Sequence, residues 1–249
     1  MAILFIIAIV GYYWFVPPRL AVFVGPLTKH FPSLPNFAHS TAESIVKLAL
    51  AGVSQLVFCL ALIWIGALHG NDLGVSSCPP VLLLYGLVLG VGEMALASFI
   101  AFVATRLIDA VQKDSLRGGP EAWLAMSRGG WMRQYLRTIE SAPWPIALGL
   151  TLLYVSAEEV VFRSIIIHIW LPHRLVALMI SVGLFSVVQQ FKMPSWRHGF
   201  FAFVGALVMG TIHGILYLQL PFIIPLIIAH LTFFGSAVLV RREQLNFEP

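Results

Sequence analysis

The chain has 249 residues, of which 59% are hydrophobic and only 10% charged, and its mean hydropathy is +0.90. Soluble domains carry about 25% charged residues, so the composition excludes an ordinary soluble protein and implies an all-α, polytopic membrane helix bundle. The net charge of +4 is the excess of Lys and Arg that loop topology requires, and no nucleic-acid partner is expected. A span takes about 20 mostly apolar residues, so the length leaves room for about six to eight spans and no separate soluble domain.

Seven apolar segments follow in chain order, at 2–16, 44–68, 81–105, 146–169, 175–191, 200–219 and 222–240, and about seven transmembrane helices are expected. The first, MAILFIIAIVGYYWFV, lacks a basic leading region and a small-residue cleavage site, so it reads as a retained span. The stretch VPPRLAVFVGPL behind it suits a re-entrant or interfacial path. Cys59 lies in an apolar run and reads as a packing residue, and Cys78, in SSCPP, as a loop residue. The two have neither disulfide-framework nor metal-motif spacing. The long polar connection at 106–142 contains EAWLAMSRGGWMRQYLRTIE, whose mixed aromatic and basic residues suit a short amphipathic helix at the membrane surface. The chain thus divides into N-terminal helices with this connection (1–142), a C-terminal helix core (143–240) and a tail (241–249).

Basic residues sort by side. Arg19 and Lys29 follow the first segment, and Arg106, Lys113, Arg117, Arg128, Arg133 and Arg137 follow the third. Lys192 and Arg197 follow the fifth, and Arg241 and Arg242 the seventh. Arg174 alone falls on the opposite side. The positive-inside rule then predicts a multi-pass protein of the cell membrane, surrounded by lipid, with its C-terminus in the cytoplasm.

Ionisable groups inside spans are rare, costly and usually functional. They are Glu93, Glu158, Glu159, Arg163, His168, His213 and His230, with the polar Gln189 near the end of the fifth segment. The densest cluster is SAEEVVFRS, at 156–164. On a helix Glu159 and Arg163 share a face in the favourable order for an ion pair. Glu158 points about 100° away, and Phe162 stands where an in-register cation would be. One carboxylate thus has a local counter-charge, and the other is placed for acid–base work. Glu159 with Arg163 also suits a packing ion pair, Glu93 a proton path or a structural bond, and His213 a buried hydrogen-bonding group. His168 falls near a span end, where an interfacial histidine needs no special role.

The ordered set EEVVFR, FSVVQ, GILY and HLTFF resembles the motifs of the CAAX-processing and bacteriocin-processing membrane protease family, which includes the type 2 prenyl-protein proteases and the Abi proteins. The resemblance covers about residues 143–240. It implies a glutamate-dependent intramembrane endopeptidase acting on a membrane-anchored or C-terminal protein segment. In the family the first motif glutamate is the general base on a water, aided by a second-motif histidine. The third-motif histidine and asparagine stabilise the oxyanion. Carried over, Glu158 is the base, Glu159 and Arg163 orient it, and His230 is the oxyanion donor. Two positions depart from the pattern. Gln189 replaces the second-motif histidine, and Phe234 replaces the asparagine. Glutamine hydrogen-bonds but does not titrate near neutral pH, and His213 is an alternative source of the missing imidazole. A catalytic zinc takes about three protein ligands, which Glu158, Glu159 and His230 would supply only with strained adjacency, so no metal and no other cofactor is expected. Two other readings stay open: a catalytically impaired member serving as immunity or scaffold protein, and a carrier with Glu93, Glu158 and His230 as a relay.

Overall fold

The computed structural model describes residues 2–30, 39–68, 70–73, 75, 78–111, 130–191, 193 and 195–246. Each of the seven apolar segments lies mostly on helix. The helices are α1 (Ala2–Leu20), α2 (Val24–His30), α3 (His39–Trp64), α4 (Val81–Val111), α5 (Gly130–Ser141), α6 (Trp144–Glu159), α7 (Ile166–Ile169), α8 (Arg174–Phe191), α9 (Trp196–Gln219) and α10 (Ile223–Asn246). No strand occurs among the described residues. Among the described residues five stretches are long and apolar enough to cross a membrane: Ala2–Lys29, Ser40–Trp64, Val81–Ile108, Leu171–Phe191 and Trp196–Gln219. Ile223–Val238 is a shorter apolar helix. The protein is therefore a multi-pass helical bundle.

The first segment runs further than its sequence suggests. Helix α1 continues through Pro17 and Pro18 to Leu20, then tightens into a 3-10 turn at Ala21–Phe23 and enters α2. Proline removes a helix donor and crowds the preceding turn, which is why the pair reads as a stop. Apolar surroundings favour keeping the remaining backbone bonds inside the helix, and the chain stays helical. The amphipathic connection is helical from Gly130 to Ser141, while its residues 121–129 lie outside the described residues. Its apolar face is not left at a surface: Met132, Tyr135 and Leu136 are buried against the bundle.

Local signals set the other boundaries. Gly66 has φ 87° and ends α3; the Gly66 amide donates to the Ile63 carbonyl and the Ala67 amide to the Leu62 carbonyl, the paired bonds of a Schellman cap. Pro143 and Pro145 occupy the start of α6, where a missing amide is harmless. Ser195 caps α9 by accepting from the His198 amide.

Between α6 and α7 the helix widens into a π turn, Val160–Ile165, in which the Ile166 amide donates to the Val161 carbonyl. Such turns are uncommon and concentrate at functional sites. Helices α8, α9 and α10 all touch this segment, so it forms the centre of the bundle. Helix α3 packs along α6, α8 along α9, and α4 along α10.

The α4–α10 contact is close because of two glycines. A Cβ on Gly90 would lie far inside van der Waals contact with the Ala229 carbonyl oxygen, and one on Gly86 would press on the Pro225 carbonyl. Small residues allow such backbone approach between membrane helices. Ala229 adjoins His230, so this contact sets the depth of that histidine. Gly90→Ala is expected to destabilise the protein by about 1–3 kcal/mol, the usual cost of overpacking, read as a lowered Tm in detergent; Gly92→Ala, where a Cβ meets open space, should leave Tm unchanged.

Candidate active site

Six ionisable or amide side chains converge where the π turn meets its neighbours. Glu158, Glu159 and Arg163 come from α6 and the π turn, Gln189 from α8, His213 from α9 and His230 from α10. All are buried, and Glu93 joins them from α4.

Glu159 is the hub. Its Oε2 lies 3.3 Å from Arg163 Nε and accepts from His213 Nδ1 at 3.0 Å, and its Oε1 accepts from His230 Nδ1 at 2.8 Å. The local pairing that the i,i+4 spacing predicts is present in the wider π turn, since four residues come close to one full turn in either geometry. On its far side His213 Nε2 is 3.2 Å from each oxygen of Glu93. Both nitrogens of His213 therefore lie within hydrogen-bond distance of carboxylates. Two basic groups, Arg163 and His213, thus face two acidic ones, Glu159 and Glu93. That balance is what a buried set of charges needs, together with hydrogen bonds to fill the remaining sites.

Arg163 is held from α8 as well. Its guanidinium carbon sits 4.5 Å from the centroid of the Phe185 ring, and its Nη1 lies 3.5 Å from Ser181 Oγ. Ser181 in turn donates to the Phe162 carbonyl. Ser181, Phe185 and Gln189 are spaced at i, i+4 and i+8, so one face of α8 covers the π turn. The cation–π contact gives the phenylalanine of FSVVQ a definite role, because a desolvated pair of this kind is worth about 2 kcal/mol.

Glu158 faces a different set of groups. Gln189 Nε2 donates to its Oε1 at 3.4 Å. The Tyr154 hydroxyl, one turn earlier on α6, is hydrogen-bonded to it. Tyr13 from α1 and Tyr135 from α5 lie within electrostatic reach of the carboxylate. The tyrosines form a connected wall: the Tyr135 ring centroid is 5.3 Å from that of Tyr154 and 4.6 Å from that of Phe234, and Gln55 donates to the Tyr13 hydroxyl.

Two cavities are lined by groups that bond to Glu158, the first by Tyr154 and the second by Gln189. The larger, about 380 Å³, has Tyr12, Tyr13, Gln55, Tyr135 and Tyr154 along one side and mostly apolar residues of α1, α2 and α3 elsewhere. Its volume is that of a small-ligand pocket. The smaller, about 20 Å³, is bounded by Gln189, His230, Phe185 and Phe234 among others, with room for about one water molecule.

The other candidate residues are distributed in and around this cluster. Helix α9 does pack on the π turn, but both His213 nitrogens are engaged by Glu159 and Glu93, so His213 is a member of the charge cluster and does not face Glu158. His230 shares Glu159, and its ring stacks on Phe234 at a centroid distance of 5.3 Å and an interplanar angle of 21°. His168 lies half-exposed, 3.9 Å from Asp72, away from the cluster. Cys59 is buried and donates to the Ala157 carbonyl at 3.3 Å, and Cys78 is a free thiol just before α4. Among the described residues no three His, Cys, Asp or Glu side chains are grouped to hold a metal ion. The sequence reading missed the tyrosines. Tyr154 was within reach of it, standing four residues before Glu158 and thus on the same helix face; Tyr13 and Tyr135, from remote segments, carried no such sign.

Residues 140–234 match the family described as type II CAAX prenyl endopeptidase Rce1-like. The matched segment holds Glu158, Glu159, Arg163, Gln189, His213 and His230 and ends at Phe234. No curated protein and no solved structure matches the chain. The motif order, the convergence of those motifs on one π turn and the family match fall on the same stretch, so the resemblance to the type II CAAX prenyl endopeptidase Rce1-like family lies in residues 140–234.

Proposed function

We propose that the protein is a glutamate-dependent intramembrane endopeptidase that hydrolyses a peptide bond near the end of a membrane-anchored protein segment, without a metal or other cofactor. The observation that carries this reading is the environment of Glu158. It is a buried carboxylate bonded to an amide donor, Gln189, and to Tyr154, which lines a ligand-sized cavity together with other tyrosines. A structural carboxylate would instead sit within the charge-balanced cluster, as Glu159 does.

In this reading a water bound near Gln189 gives a proton to Glu158 as its oxygen attacks the scissile carbonyl carbon. The negative charge that forms on the carbonyl oxygen is met by His230. Its Nδ1 lies 2.8 Å from Glu159 Oε1, a bond that fixes the ring and leaves Nε2 as the atom to face the oxyanion. Glu158 then returns its proton to the leaving amine nitrogen as the carbon–nitrogen bond breaks, and the base is regenerated. Glu159, Arg163, His213 and Glu93 are positioning residues. Gln189 supplies a hydrogen bond without titrating, so the water is oriented by an amide where the family pattern has an imidazole. The distribution of Lys and Arg favours a cytoplasmic C-terminus in the cell membrane.

Phe234 favours a second reading, that of a catalytically impaired member with an immunity or scaffold role. Its ring stacks on His230 where the family pattern has a second oxyanion donor, and one such donor is worth about 10²–10³ in rate.

Glu158→Gln keeps the shape and the hydrogen-bonding capacity of the side chain. It is expected to lower cleavage of a co-expressed membrane-anchored reporter by about 10²–10⁴-fold, the usual weight of a general base, with unchanged protein level in the membrane. Wild-type cleavage by the variant would sink the proposal; an intact cellular phenotype alongside lost cleavage would favour the scaffold role.

Gln189→Ala is expected to reduce the rate about 10²-fold through misplacement of water and base. Gln189→His should retain activity and add a limb to the pH–rate profile near neutral pH that the native protein lacks, because an imidazole titrates there. A profile identical to that of the native protein would mean that position 189 does not touch the reacting water.

A further inference from the structure

The hydrolysis proposed above moves a proton twice, from the attacking water to Glu158 and from Glu158 to the leaving nitrogen. Two groups bonded to Glu158 differ in what they can do with that proton. Gln189 Nε2 donates to Oε1 at 3.4 Å, but an amide nitrogen neither gains nor loses a proton near neutral pH. The Tyr154 hydroxyl also donates to the carboxylate, and a phenol oxygen can accept one proton while it releases another. Other donors close by are committed elsewhere: His213 and His230 bond to Glu159, and the Cys59 thiol to the Ala157 carbonyl.

Tyr154 is held in place from three sides. It stands four residues before Glu158 and shares its helix face. Its ring is buried and meets the Tyr135 ring edge-on, at 5.3 Å and 74°. Gly52 lets α3 lie against the same turn of α6: a Cβ there would come 3.1 Å from the Leu153 side chain and 3.7 Å from the Tyr154 amide nitrogen. The hydroxyl therefore has a fixed direction, which a proton transfer needs. The larger cavity is lined by Tyr154 and not by Glu158, so toward that side the carboxylate is faced by the phenol that bonds to it.

We propose that Tyr154 is a further catalytic residue, a relay that carries the proton from Glu158 to the leaving amine. This rests on the protease reading above. As the tetrahedral intermediate collapses, the electron pair of the carbon–nitrogen bond goes to nitrogen, which takes the hydroxyl proton of Tyr154. The phenol oxygen takes the proton of Glu158 in the same step. The carbonyl re-forms as a carboxylic acid, and phenol and carboxylate are both restored.

A leaving group that needs no proton separates this role from simple support of Glu158. A quenched fluorescent peptide copying the end of the membrane-anchored reporter is made twice, with an amide or a thioester at the scissile position. A thiol ionises near pH 8.5, so it departs as thiolate without an acid. Both peptides are given to full-length wild type, Tyr154→Phe and Glu158→Gln in nanodiscs. Tyr154→Phe keeps the ring. It is expected to lower kcat for the amide about 10²-fold, the lower weight of a general acid, with KM unchanged, and to cleave the thioester at close to the wild-type rate. Glu158→Gln should lose both activities, since each needs the activated water. Equal slowing of amide and thioester by Tyr154→Phe overturns the relay and leaves Tyr154 a positioning residue of the base. Wild-type rates on both peptides remove Tyr154 from the reaction, and the protease reading stands in either case. Cleavage of neither peptide by wild type removes the protease reading and the relay with it. A measurement on wild type alone covers a variant that does not fold. In mixtures of H2O and D2O the amide rate should fall along a curve, the mark of more than one proton in flight, and the thioester rate along a line. Two straight lines overturn the relay.

Discussion

A carboxylate in an apolar bundle persists only if the groups around it replace water, and Glu159 shows what that takes. Its two oxygens meet Arg163, His213 and His230, and His213 is itself matched by Glu93. Breaking a buried pair by removing one partner costs about 3–5 kcal/mol, because the other charge is left behind. This one residue therefore ties the π turn to α9 and α10, and through Glu93 to α4. The remaining features of the site follow from it: α8 lays Phe185 and Ser181 over Arg163, and that register delivers Gln189 to the carboxylate next door.

Adjacent glutamates thus serve opposite ends. About 100° of helix rotation separates a residue whose bonding is saturated by charged neighbours from one surrounded by neutral donors. Gln189 and the tyrosines can hold a carboxylate in place without cancelling its charge. The same rotation bonds Glu158 to Tyr154, which lines a cavity that fits a ligand, and to Gln189, which lines one that fits a water. A site of this kind needs rigidity behind and access in front, and the two carboxylates divide those requirements.

Local features were legible in the sequence, and distant ones were not. The seven helical segments show as apolar runs because lipid leaves the backbone no other partners. The Glu159–Arg163 pair follows from spacing alone. The partners of His213 and His230 could not be read, since they lie 54 and 71 positions away from Glu159 along the chain and depend on helix packing. The tyrosines were hidden for a different reason: in a chain this rich in aromatic residues a tyrosine in a span looks like packing until its hydroxyl is placed. Pro17 and Pro18 misled in the other direction, by signalling an end that α1 does not make. The Val160–Val161 pair is only weakly unfavourable to α-helix, and nothing else in the local sequence marks the π turn.

The chain order of the cluster bears on biogenesis. Glu158, Glu159 and Arg163 emerge from the ribosome before His213 and well before His230. Three ionisable groups, at about 2.5–3.5 kcal/mol each for an Asp, Lys or Arg at a span centre, must enter the bilayer while their later partners are still unmade. The pair within α6 and the π turn is available at once, so the helix carries its own counter-charge through the translocon. Phe185 and Ser181 arrive next and cover the guanidinium; His213 then links Glu159 to Glu93, which has waited on α4 since the third apolar segment was made. The last helix closes the assembly with His230. A nascent chain that stops before α10 holds every carboxylate of the cluster but lacks that histidine, so the cluster is completed only when the last helix is made.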